Sequence, residues 1–359
     1  MVRKENMIKL EELLRKTIER AASDLHLAVD APPIIRIDEK LIPLGDKRLT
    51  NVDTRELAYS ILSEEQRKTF EQEDELDLSL GIEGLSRFRI NVFKQKNSIA
   101  VAIRAIPYKI KTFEELGLPV EVVSSLTELP KGLILVTGAT GSGKSTTLAS
   151  MIDRINENRP CHIITVEDPI EYVHNHKKAL INQREIGTDT HSFVNALKYV
   201  LRQDPDVILI GEMRDLETMA IALTAAETGH LVLATLHTND STQSINRLID
   251  VFPPHQQNQV RIQLSFVLQA ILSQQLIPQG DKKGRALALE IMVITPAIRS
   301  MIRESKTHQL YSVIQTGGKF GMRTMNQSLY ELVQRHLISQ QQALERSLDP
   351  EDLRRLFKG

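Results

Sequence analysis

The chain has 359 residues, long enough for about two domains at roughly 150 residues each. Its net charge of −1 gives no bulk attraction to nucleic acid or an acidic membrane, and 4% aromatic residues with no Trp argue against a base-stacking surface. Cys161 is the only cysteine, which excludes an intrachain disulfide and a tetracysteine zinc site.

The start, MVRKENMIKLEELLRK, is too charged for a signal peptide, and no apolar run reaches about 18 residues. A bacterial-type cytosolic protein that meets a membrane only through partners fits best. Residues 7–20 carry apolar side chains at 7, 8, 10, 13, 14 and 18, the spacing of an amphipathic helix. SDLHLAV and PPIIRID alternate like short strands, and residues 54–77 return to helical spacing. RFRINVF, KQKN and SIAVAIRAI read as strand, turn and returning strand, closing an α+β unit near Pro107. Pro107, Pro119 and Pro130 mark the next stretch as a linker.

From residue 132 the pattern becomes apolar strands alternating with helices: GLILVTG, HIITVED, DVILIGE, HLVLATL and ALALEIM. That succession implies a mostly parallel sheet covered on both faces. Thr295 and Pro296 then open a helix, and the chain looks helical to its end. The boundaries are 1–107 for the first domain, 108–131 for the linker, 132–295 for the α/β core and 296–359 for a helical C-terminal segment.

GLILVTGATGSGKSTTLASMI contains Gly138-x-x-x-x-Gly143-Lys144-Ser145 between an apolar strand and a helix, the setting of a P-loop. Backbone N–H groups of Gly138, Ala139, Thr140, Gly141, Ser142 and Gly143 would close around phosphates, helped by the helix N-terminus. Lys144 would reach the β- and γ-phosphates of ATP, Ser145 would bind Mg2+, and Thr146 lies nearer the α-phosphate. DVILIGEMRD is a Walker B candidate whose Glu212 emerges at the strand's C-terminal end, suited to a magnesium-bound water. HIITVEDPIEY delivers Glu167 and Asp168 to the same edge, with Glu171 beyond Pro169. Glu171 is preferred slightly over Glu167 as the base that activates water, the other being structural. In AETGHLVLATLHTND, the seven-residue offset along a strand puts His230 and His237 about 20 Å apart, so they cannot share a metal within one chain. His237, at the C-terminal edge, is read as a sensor of the γ-phosphate or magnesium water. His230 is read as structural or interfacial.

A P-loop, an Asp box, a Walker B glutamate and a His box in this order resemble the RecA-like secretion ATPases of type IV pilus and type II secretion machines. SDLHL, RFRINVF and INQREIG extend the resemblance over essentially the whole chain, and AIRSMIRES, residues 297–305, is similar to a motif of the retraction branch, with Ser300 and Met301 as departures. Extension-type members usually carry a further N-terminal domain and a tetracysteine zinc module, which also points this chain to retraction. The resemblance implies an α/β architecture: a RecA-like P-loop ATPase domain, a small α+β PAS-like N-terminal domain and a helical C-terminal tail. It further implies a homo-hexamer, Mg2+-dependent ATP hydrolysis with help from a neighbouring subunit, and an inner-membrane platform protein of the pilus as partner, with no nucleic acid expected. Apart from Arg247 in INRLID after the His box, a weaker candidate, the arginines of the hairpin are then expected to stabilise charge on the γ-phosphate: Arg104 first, with Arg87 and Arg89, which share a face by period two. Pairing with the acidic run EQEDELD is the plain alternative for each. Competing readings are a pilus-extension or type II secretion ATPase, a RecA-like nucleic-acid motor and a nucleotide-gated scaffold. AIRSMIRES itself reads first as a packed face of Ala297, Ile298, Met301 and Ile302, and second as a coupling element.

Overall fold

The computed structural model describes residues 9–37, 40–82, 84–106, 110–280 and 284–358. Met7, Ile8 and Pro107, named above, lie outside them. The chain divides into two compact units, residues 1–109 with 171–173 and residues 110–170 with 174–359.

The first unit runs α1 (Leu10–Glu19), β1 (Asp24–Leu27), β2 (Ile34–Ile37), β3 (Lys40–Pro43), α2 (Asn51–Tyr59), α3 (Glu64–Glu73), β4 (Glu75–Ile82), β5 (Ser86–Gln95) and β6 (Ser98–Ile106). Its six strands lie in the order β3-β2-β1-β6-β5-β4, each pair antiparallel. The alternation in RFRINVF does what period two demands: Phe88, Ile90 and Val92 are buried with Leu13, Leu14, Leu57 and Phe70 of the helices. Lys96 and Asn97 both take positive φ, the twisted turn that two-residue hairpins favour. The continuous helical reading of residues 54–77 is corrected. Asp74 takes a left-handed conformation that ends α3, and the alternating ELDLSLGI then pairs with β5 as β4.

The second unit contains α4 (Phe113–Leu116), α5 (Val120–Thr127), β7 (Gly132–Thr137), α6 (Lys144–Asn158), β8 (His162–Glu167), β9 (Leu180–Glu185), α7 (Phe193–Val200), β10 (Val207–Ile210), α8 (Leu216–Glu227), β11 (Leu231–Leu236), α9 (Ser241–Asp250), α10 (Pro254–Val267), β12 (Leu268–Pro278) and β13 (Arg285–Val293). Beyond β13 come α11 (Pro296–Arg303), α12 (Leu310–Thr316), α13 (Met325–Gln334), α14 (Gln340–Arg346) and α15 (Pro350–Lys358). The sheet order is β13-β12-β7-β11-β10-β8-β9, parallel except for β13 on β12. Buried apolar clusters cover both faces, so its central strands β7 and β11 are buried at every position and largely apolar.

In the second unit two strands went unread. β12 follows α10 with no Gly or Pro between them, so nothing in the sequence marks the switch. β9 is a polar edge strand, LINQRE. The stretch expected as a linker is also more than a connector. Thr112 caps α4, and Phe113, Leu118, Val123 and Leu126 are buried with Ile134 and Met151 of the α/β core. No helix among the described residues is long and apolar enough to cross a membrane.

Candidate nucleotide site

The site grows from the C-terminal edge of the parallel sheet, where loops leave β7, β8, β10 and β11 side by side. At the end of β7, Gly138 takes φ +141°, and a Cβ there would lie 2.4 Å from the Gln274 carbonyl and 2.6 Å from Ser142 Oγ. Only glycine lets the backbone pass this close to β12. The loop then rises through exposed Ala139, Thr140 and Gly141 to buried Ser142, and Gly143 caps α6 in a left-handed conformation. Lys144 Nζ donates back to the carbonyls of Gly138 at 2.8 Å and Ala139 at 3.1 Å, wrapping the ammonium under the loop. Ser145 and Thr146 stand half-buried on the first turn of α6. The loop rests on a polar floor: Thr137 Oγ1 donates to Ser273 Oγ at 2.9 Å, and Gln274 Nε2 to Thr147 Oγ1 at 2.7 Å.

The same edge brings Glu212 and His237 together, because β10 and β11 are neighbours in register. Glu212 Oε1 lies 3.1 Å from His237 Nε2 and 2.6 Å from Arg214 Nε. Burial pushes the Glu212 carboxyl up, but the Arg214 hydrogen bond and the charges of His237 and Arg214 outweigh it, holding the group below its ordinary value. Gly138 N donates to the carbonyl of Leu236 at 3.3 Å, so His237 follows directly on the residue that anchors the P-loop. Arg214 escaped the sequence reading, although its place two residues after Glu212 was a signal.

Glu167 ends β8 beside this pair, and Gly211 N donates to Val166 O at 2.8 Å. Its Oε1 accepts from Thr165 Oγ1 at 2.7 Å and from Gln183 Nε2 of β9 at 3.1 Å. Gln183 lies within INQREIG, a stretch that sequence reasoning quoted without assigning it a role. Glu171 is exposed. His230 sits at the opposite end of β11, its Nδ1 2.9 Å from the carbonyl of Ala225 at the end of α8, a helix-terminating contact.

In the first unit, Arg89 and Arg104 are register partners on β5 and β6, and Arg87 shares the face by period two. Within the acidic run, Asp74 pairs with Lys94, and Asp77 accepts from Asn91. Arg104 instead bonds Asp24 of β1, Nε to Oδ1 at 2.9 Å. Arg247, on α9, is exposed. In α11, Ile298 and Ile302 are fully buried and Met301 packs beside them, but Ala297 is exposed and leaves the expected face.

Residues 4–344 match the family model of type II/IV secretion system proteins. The chain belongs to the type II/IV secretion system protein family. Within it, the chain is 49% identical to the type IV pilus retraction ATPase PilT of Pseudomonas aeruginosa over 343 residues, 96% of this chain and 99% of that one. It is 45% identical to a twitching motility protein of Neisseria gonorrhoeae over 342 residues, 95% and 91% of the two chains. A crystal structure of the pilus retraction motor PilT with bound ADP matches at a TM-score of 0.91 and 53% identity, covering 97% of this chain and 99% of that one. The resemblance carried by the P-loop, Asp box, Walker B glutamate and His box is borne out, and it runs to the retraction ATPases of the family.

Proposed function

We propose that this chain is an ATP-hydrolysing motor that acts as a homo-hexamer at the cytoplasmic face of the inner membrane and drives retraction of a type IV pilus by depolymerising it. The observation that carries the reading is the convergence of the Lys144 loop and the Glu212–His237 pair at one sheet edge. Its relatives' similarity over nearly their whole length supports the pilus as the load. An inner-membrane platform protein is the proposed partner, and membrane contact runs through it.

In this mechanism the N–H groups of residues 138–143 cradle the phosphates of ATP, and Lys144 exchanges its loop carbonyls for β- and γ-phosphate oxygens. Ser145 and Glu212 would hold Mg2+, Glu212 through water. The donor set fits: a hydroxyl and an ionised carboxylate are hard oxygen ligands, and magnesium takes its remaining oxygens from phosphate and water. When bound, the ion neutralises charge developing on the phosphates. His237 and Arg214 both meet Glu212 at Oε1, which orients the carboxylate from one side and lets His237 register a change at the γ-phosphate. Glu171 is preferred as the base that takes the proton of the attacking water, because Glu167 Oε1 already accepts two hydrogen bonds. Arg104, Arg89 and Arg87 supply positive charge to the γ-phosphate in the transition state.

Glu212→Gln tests the motor reading. Wild-type chain should turn over ATP, and the variant should lose about 100-fold in kcat, the scale of one preorganised electrostatic contact. Equal negligible rates would leave a scaffold. A deletion strain tests direction: excess surface pili without twitching supports retraction, whereas bald cells support extension.

A further inference from the structure

SDLHL belongs to no part of the mechanism above, yet the fold puts its aspartate in a definite place. Asp24 on β1 pairs in register with Arg36 on β2 and with Arg104 on β6, and Arg104 pairs in turn with Arg89 on β5. One line across four strands therefore reads Arg36, Asp24, Arg104, Arg89, on the face opposite Leu25 and Leu27, which are buried in the core. The Asp24 side chain is only 11% exposed, and the Arg104 side chain is 69% exposed. Asp24 Oδ1 accepts from Arg104 Nε at 2.9 Å. Its Oδ2 accepts from Ser23 Oγ at 2.7 Å and lies 3.8 Å from Arg36 Nε. Ser23 N is itself bound to the carbonyl of Arg36 at 2.9 Å, and Ala105 N to the carbonyl of Ser23 at 3.0 Å. The carboxylate is thus a fixed post, locked by its own hydroxyl neighbour and by backbone pairing on both sides.

We infer that Asp24 is a positioning residue for Arg104: by engaging Nε it fixes the guanidinium plane, so that the outer edge of the fork is presented to phosphate. An arginine reaching out of a sheet has several rotatable bonds, and its use on a transition state requires that this freedom be removed beforehand. The geometry is suited to that task. A carboxylate that took both terminal nitrogens in a bidentate pair would satisfy the arginine and withdraw it from other anions. Engagement at Nε steers it instead. Hydrogen bonds from Ser23 and Arg104 and the charge of Arg104 outweigh the effect of burial on Asp24 and keep its carboxyl below the ordinary value, so the post stays charged through the physiological range.

This inference rests on the proposed role of Arg104, and the test separates the two. ATP turnover and KM would be measured in assembled rings of wild type, Arg104→Ala, Asp24→Ala, Asp24→Asn, Arg36→Ala and the Asp24→Ala/Arg104→Ala pair, using release of radiolabelled phosphate. Arg104→Ala should lower kcat about 1000-fold, the scale of an arginine acting on a transferring phosphoryl group. Asp24→Ala should lower kcat on the order of 10- to 100-fold with KM little changed, as expected for a misdirected group. Asp24→Asn keeps an oxygen acceptor for Nε and should recover most of the loss. Arg36→Ala should leave kcat within about twofold, and Asp24→Ala should add nothing once Arg104 is gone. Asp24→Ala at wild-type rate beside an impaired Arg104→Ala overturns the positioning role alone. An additional loss in the double variant overturns it too, by showing that Asp24 acts on the fold. Should Asp24→Ala fail to assemble, Asp24→Asn decides: a folded ring as slow as Arg104→Ala overturns the inference. Wild-type turnover in Arg104→Ala overturns the underlying role.

Discussion

Replacing Gly138 by alanine offers a sharp test of how the P-loop is held. The added Cβ would meet a backbone carbonyl, that of Gln274, at 2.4 Å. Gln274 cannot retreat, since β12 is paired with β7 on one side and β13 on the other, and its side chain holds Thr147. The φ of +141° adds backbone strain of about 1–3 kcal/mol for any residue with a Cβ. The loop, not the strand, must yield, and a shift of about 1 Å in a preorganised site costs on the order of 100-fold. Gly141→Ala is the matched control: φ is +79°, but nothing lies within 4 Å of the new Cβ. Titration of each variant with a fluorescent ADP analogue, read by anisotropy, should show affinity reduced by 10- to 100-fold for Gly138→Ala and less than about tenfold for Gly141→Ala. Thermal unfolding should fall by only a few degrees in both. Wild-type affinity in a folded Gly138→Ala, or the reverse order of the two variants, would refute the claim that this close approach shapes the cradle.

Acid stability should depend on His174, whose imidazole is pushed down to about 4 from 6.5 chiefly by burial, with Lys177 adding to the effect and Asp153 opposing it. The folded state favours the neutral ring, so its contribution of about 3 kcal/mol is complete above pH 6.5 and is lost as pH falls towards 4. Between pH 7, 5.5 and 4.5 the urea midpoint should fall less steeply for His174→Gln than for wild type; parallel curves would refute it. In α11, Arg299 Nη1 donates to the carbonyls of Ser265 at 2.5 Å and Phe266 at 2.8 Å, capping the end of α10. Arg299→Ala should cost about 1–3 kcal/mol, seen as a lowered Tm, and Arg299→Lys should restore part of it, because one nitrogen makes both carbonyl bonds and an ammonium has three donors. Unchanged melting in both would show that the cap carries no stability.

The P-loop was legible because its determinants are contiguous: apolar strand, glycines, lysine and helix follow one another within a dozen or so residues. The separation of His230 from His237 was legible too, since strand rise alone places them at opposite ends of β11. What could not be read is anything that depends on sheet order. That Glu212 meets His237 requires β10 beside β11, and that Gln183 reaches Glu167 requires β9 beside β8. The arginine face was readable along β5 by period two, but its ion pair was not. Arg104 and Asp24 are 80 residues apart, and only the antiparallel register of β1 and β6 joins them. Residues 54–77 failed for a different reason, since Asp74 ends a helix through its own backbone conformation, not through any visible glycine or proline.

The buried polar side chains beneath the site follow the same logic and bear on how binding could be felt beyond it. Thr137 bonds Ser273, and Ser273 faces Glu290 in register across β12 and β13. Glu290 Oε1 accepts from both N and Oγ of Ser241 at 2.8 Å, the first residue of α9. Burial pushes the Glu290 carboxyl up despite these bonds, so the group is costly to maintain in the interior of the sheet. Its return is a continuous hydrogen-bonded and register-matched line from the residue before Gly138 to the helix that begins four residues after His237. The two loops that would face nucleotide are therefore tied to one rigid floor, and neither can shift without straining a buried polar contact. In the proposed mechanism a phosphate drawing on Lys144 and a histidine reading Glu212 would thus act on the same piece of structure, which is what a site that converts hydrolysis into motion requires.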